Sequence, residues 1–136
     1  MTTDTLRALD RQRLQNAAAT APPIDTEVLF SRCMGNVSFA LTLLGELEAN
    51  GKQQVDAIGQ HVANNDPHAA AEAAHSLKGA AAIIGAESLR GMAAEIEAAG
   101  RDGDTSLLLD MVHDLCSEMD RCLAYVPTIR AETQRR

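Results

Sequence analysis

Apolar positions in this chain recur at steps of three, four, seven and eight, the spacing of one face of an α-helix, and no alternating runs mark strands. Val37, Ala40, Leu44, Leu47, Val55, Ile58 and Val62 make one such face. It predicts one long helix from Val37 to about Asn64, weakened in its middle by Asn50-Gly51; without alternating flanks that pair does not read as a hairpin. A second face joins Ala70, Ala73, Ala74, Leu77, Ala80, Ala81 and Ile84. Asp66 as N-cap and Pro67 at the first helical position open this helix, and Gly85 closes it. A third helix is predicted from about Glu87 to Ala99 with Leu89, Met92, Ala93 and Ile96 inward, followed by a turn at Gly100-Arg101-Asp102-Gly103. Asp104 reads as the cap of the last helix, whose stripe is Leu108, Met111, Val112, Leu115, Met119, Cys122 and Val126; Pro127 ends or kinks it.

Ahead of these lies a short helix from Thr26 to about Cys33, capped by Asp25, with Ile24 and Leu29 spaced as a hydrophobic staple. Gly35-Asn36 breaks the chain after it. Residues 1–23 carry only a partial stripe, Leu6, Leu9 and Leu14, before the break Ala21-Pro22-Pro23, and read as a partly helical extension or linker. The predicted architecture is therefore all-α. Residues 24–127 form an up-down four-helix bundle with the short helix covering one end, and residues 128–136 form a C-terminal tail.

Composition narrows the chemistry. The chain has 136 residues, enough for one modest core. Only Phe30, Phe39 and Tyr125 are aromatic, so that core must be built from Leu, Ile, Val, Met and Ala. A net charge of −7 argues against nucleic acid and anionic membrane surfaces as partners. No apolar run approaches a membrane span, and the N-terminus lacks a signal-peptide pattern. Cys33, Cys116 and Cys122 are odd in number and lack CxxC spacing, which points to buried thiols in a reducing cytoplasm rather than to a disulfide framework or zinc site.

One residue does not fit a purely structural reading of the second helix. His75 falls about 160° round from Leu77 and so faces away from the core. Its neighbours on that outer face are His68, Ala71, Glu72, Lys78, Gly79 and Ala82, most of them small. Neutral imidazole is a nucleophile near pH 7, since its unperturbed pKa is about 6.5. Gly79, one turn on, leaves the approach to the ring open at a cost of roughly 1 kcal/mol in helix propensity. Lys78 can neutralise charge on a transferred group. Glu72 can orient the ring, although it would also repel a phosphoryl group. His68 lies two turns away on the same face, at the border of a docking surface, while His61 and His113 lack any such setting.

His75-Ser76-Leu77-Lys78-Gly79-Ala80-Ala81, with Gly85 ten residues after the histidine, resembles the signature of histidine-containing phosphotransfer (HPt) domains. The resemblance implies a phosphocarrier of a multistep phosphorelay, with His75 taking a phosphoryl group from a receiver-domain aspartate and passing it to another receiver. Its partners would be receiver domains of response regulators or of a hybrid sensor histidine kinase. The chain itself would need no cofactor and would not be an enzyme, the Mg2+ site being on the receiver. Two other readings stand beside it. One is a helical interaction module without phosphotransfer. The other is a metal-binding bundle using Glu72-x-x-His75 and Asp110-x-x-His113, against which the outward turn of His75 counts.

Overall fold

A computed structural model describes residues 21–135, which form five helices and no strand. They are α1 (Thr26–Arg32), α2 (Val37–Ala63), α3 (Pro67–Ile84), α4 (Glu87–Arg101) and α5 (Leu108–Gln134). Each long helix packs on its chain neighbour and α5 closes back on α2, the ring of contacts that defines an up-down four-helix bundle. The weak stripe of Leu6, Leu9 and Leu14 lies outside the described residues. No single described helix is both long and apolar enough to cross a membrane.

The helix ends follow from local chemistry. Asp25 Oδ1 accepts from the amides of Glu27 and Val28 at the start of α1, and Asp66 Oδ1 accepts from the Ala69 amide at the start of α3. Gly85 ends α3 at φ 77°, in the left-handed region where a Cβ is costly. A side chain there would also sit 2.6 Å from the Asp25 carbonyl oxygen. The Asp25 amide donates to the Gly85 carbonyl, so this glycine lets α1 fold down on α3 and close one end of the bundle. Ile24 and Leu29 are both buried beneath it.

The long helix expected across the weak Asn50-Gly51 pair is continuous, and the last helix does not end at Pro127. Gly51 is buried inside α2, where an added Cβ would come within 2.8 Å of Met119 Sδ. It is a point of close approach between α2 and α5 rather than a turn. Pro127 likewise lies inside α5, which runs on to Gln134, so residues 128–134 are not a separate tail. A proline within a helix loses an amide donor and crowds the carbonyl four residues back. Here the following turn is held by the fully buried Ile129 and by the Arg130–Glu48 ion pair to α2. Asp104 is also displaced from its expected role. It caps a turn before α5, its Oδ1 accepting from the amide and hydroxyl of Ser106, and the helix begins only at Leu108.

The core is aliphatic, with Leu29, Leu44, Ile58, Leu77, Leu89, Ile96, Leu115 and Ile129 fully enclosed. Burying each such side chain contributes roughly 1.5–3 kcal/mol. Cys33 and Cys122 are buried as expected, and burial pushes the Cys122 thiol up to about 12. Cys116 departs from expectation and is exposed on α5.

Candidate functional site

Leu77 and Ile84 pin the register of α3 against the core, and that register leaves His75 in solvent near the middle of the helix, its side chain 61% exposed. The exposed stripe of α3 is His68, Glu72, His75, Ser76, Gly79 and Ile83. It is rotated toward α2 relative to the stripe drawn from the sequence. Ala71, expected on the outer face, is only 2% exposed and packs under α4. The cause is Gly100, where a Cβ would come within 2.4 Å of the Pro67 carbonyl oxygen and 2.9 Å of Ala71 Cβ. Without a side chain there, α4 approaches α3 closely and covers Ala71. Ala82 is half-buried on the same flank, and Ser76 and Ile83 take the places on the surface. A groove lined by Leu43, Leu47, Ala80, Ile83 and Ile84 runs along the other flank, between α2 and α3.

The close approach of α4 brings in a residue that sequence reasoning missed. Glu97 is 7% exposed, and its carboxylate reaches across to α3. Its Oε2 lies 2.8 Å from His75 Nδ1 and its Oε1 accepts from Lys78 Nζ at 2.6 Å. Arg101, one turn further along α4, donates to the same Oε2 at 2.6 Å. The donor contacts, led by Lys78 and followed by His75 and Arg101, hold this carboxyl down at about 2 despite the opposing effect of burial. Glu97 is thus ionised across the neutral range. A carboxylate is acceptor-only, so His75 Nδ1 must carry the hydrogen, and the lone pair of the neutral ring resides on Nε2. Glu97, rather than Glu72, orients the imidazole. Glu72 is exposed and makes no hydrogen bond or ion pair to the ring.

Lys78 is half-buried with its ammonium against Glu97, beside the ring. Gly79 is exposed, and an added Cβ would meet nothing within 4 Å. Packing therefore gives no reason for glycine at this position. His68 is exposed two turns before His75. Among the described residues, no group of three or more His, Cys, Asp or Glu side chains could hold a metal ion.

The signal for Glu97 was present in the sequence. It stands four residues after Ala93 and one after Ile96, an acid on the edge of an apolar stripe, with Arg101 four residues later. Periodicity marks such a position as unusual but does not say which helix it faces.

No curated relative matches the chain. The fold is similar to the crystal structure of histidine-containing phosphotransfer protein B (HptB) from Pseudomonas aeruginosa PAO1, with a TM-score of 0.76 at 22% identity over 83% of this chain and 98% of that one. The Hpt domain model matches residues 42–127, which include α3, its exposed histidine and the Glu97 that orients it. The chain belongs to the Hpt domain family, whose members are phosphocarriers of phosphorelays.

Proposed function

We propose that His75 accepts a phosphoryl group from the aspartyl phosphate of a receiver domain and passes it to the aspartate of another. The observation that carries this reading is the hydrogen bond between His75 Nδ1 and Glu97, made by a side chain 61% exposed, which leaves Nε2 as the nitrogen available to act as nucleophile. In the forward step the Nε2 lone pair attacks phosphorus, an N–P bond forms, and the P–O bond to the aspartate breaks. The aspartate leaves as a carboxylate. The ring gains positive charge while keeping its Nδ1 hydrogen, and Glu97 stabilises that charge as it develops, in the manner of a carboxylate behind a catalytic histidine.

Lys78 is the cation nearest to hand for the oxygens of the transferred group. Phosphoryl transfer needs in-line positioning and charge neutralisation, and the Mg2+ that supplies much of the latter is assigned to the receiver. Gly79 gives access: its lack of a packing role, at a helix-propensity cost of roughly 1 kcal/mol, favours an external reason for the missing side chain. Ser76, Ile83 and the groove beside them form the docking surface, with Ala82 at its edge and His68 at its far border. Ala71 is removed from that surface by its burial. Such a carrier works where receivers work, in the cytoplasm.

The reading is tested by incubating the protein with a phosphorylated receiver domain. Label should move to this chain in an acid-labile, base-stable form. Retention of all label on the receiver, across a panel of receivers, would contradict it.

A further inference from the structure

The carboxylate behind His75 presents a physical difficulty that the rest of the cluster resolves. A lone buried anion against Nδ1 favours the protonated ring, and imidazolium has no lone pair with which to attack. Glu97 is not alone. Its Oε1 carries Lys78 and its Oε2 carries Arg101 as well as the ring. The charged groups around the imidazole are Glu72 and Lys78 on its own helix and Glu97 and Arg101 on α4. Among the described residues, the ion pairs of α2, Lys52–Asp120 and Glu48–Arg130, run to α5 and not to the cluster. Two cations sit against the one buried carboxylate, and with the exposed Glu72 the four charges around the ring balance.

We propose that Arg101 is a positioning residue for the His75 nucleophile: through the oxygen it shares with the ring, it offsets the charge of Glu97, so that the carboxylate fixes the Nδ1–H tautomer without holding the ring as imidazolium. The inference rests on the phosphocarrier reading and extends it to a residue outside the His75–Gly85 motif. Arg101 suits the task by its place. Its side chain is 59% exposed and fills no part of the core, and the i,i+4 spacing on α4 places it on Glu97 from within its own helix. Lys78 is free to turn toward a phosphoryl group, because Arg101 remains on the carboxylate when it does.

Two variants separate this role from a structural one. Arg101→Gln removes the charge and keeps a hydrogen-bond donor; Arg101→Lys keeps the charge. Ring-proton NMR of the unphosphorylated protein should show the His75 titration curve displaced upward in Arg101→Gln. The displacement should be about half a pH unit, the size expected for one unit charge about 5 Å away in a water-like medium. His61, His68 and His113 should not move, and Arg101→Lys should restore the wild-type curve. Phosphoryl acceptance from phosphoramidate should fall roughly threefold for Arg101→Gln on the acid limb of the pH profile and be equal or faster at pH 9. An unmoved His75 curve, or a rate lowered equally at every pH, would overturn the role of Arg101. The titration is read without any transfer, so its outcome is distinct from a failure of the wild-type protein to accept phosphate from a receiver.

Discussion

Replacing His75 with Gln removes the imidazole but leaves an amide that can still donate to Glu97. The side chain is largely in solvent, so no cavity opens, and such surface changes usually move stability by less than about 0.5 kcal/mol. His75→Gln is expected to abolish phosphoryl acceptance with an unchanged circular-dichroism spectrum and urea midpoint. Acid-labile phosphate appearing on the variant would move the site to another histidine. Gly79→Gln is expected to block transfer from a receiver by a different route. Open space surrounds the added side chain, and Gln is the better helix former by about half a kcal/mol, so the urea midpoint should hold or rise while receiver binding weakens. Wild-type binding and transfer by this variant would mean that the exposed stripe is not a docking surface. At this scale the sequence reveals the exposed histidine proposed as nucleophile and the open position beside it, because both lie within about one helix turn of each other. The partner of the ring stayed hidden because Glu97 comes from another helix, and hydrophobic periodicity carries no information about which side chains meet across helices.

Between elements, the decisive contact is that of α3 with α4. Gly100 sets its closeness, and the closeness buries Ala71 and lets Glu97 reach His75. An alanine at position 100 must displace the Pro67 carbonyl, which is backbone and cannot simply turn aside. Gly100→Ala is therefore expected to cost about 1–3 kcal/mol in urea unfolding, the range for overpacking, despite alanine's higher helix propensity. It should also slow phosphoryl acceptance by drawing Glu97 away from the ring. A stability equal to wild type would show that the two helices have room to spare. This contact also explains where pattern reading slipped. The faces of α3 were drawn from angles alone, which place Ala71 close to His75; a glycine on the facing helix then covered it. The ends of α3 were legible because Asp66, Pro67 and Gly85 act on backbone groups only a few residues away. The continuation through Gly51 was legible as one long helix, although its close contact with Met119 was not; the continuation past Pro127 was not legible, because Ile129 and the Arg130–Glu48 ion pair hold that turn in helix against local preference.

For the molecule as a whole, the Glu97 cluster ties stability to pH. The carboxyl is held at about 2, below its ordinary value of 4.5, by Lys78, His75 and Arg101. A lowered folded-state pKa contributes stability above the unfolded value, and that contribution is lost as pH falls from about 4.5 toward 2. Glu87, lowered by its hydrogen bond from Arg90, acts in the same direction, and Glu118, raised by burial, acts in the opposite one. Comparing wild type with Glu97→Gln isolates the cluster. In urea unfolding at pH 5 and pH 3, wild type should lose more stability over the interval than the variant does. Parallel curves would show that the cluster adds nothing to the fold.

The central claim is that Glu97 and α3 together present His75 Nε2, and no other nitrogen, as the phosphoryl acceptor. The most direct measurement is phosphorus–nitrogen correlated NMR on 15N-histidine-labelled protein after transfer from a phosphorylated receiver. The account predicts a single phosphohistidine, at His75, with phosphorus on Nε2 and the hydrogen retained on Nδ1. Phosphorus on Nδ1, or on His61, His68 or His113, would contradict it.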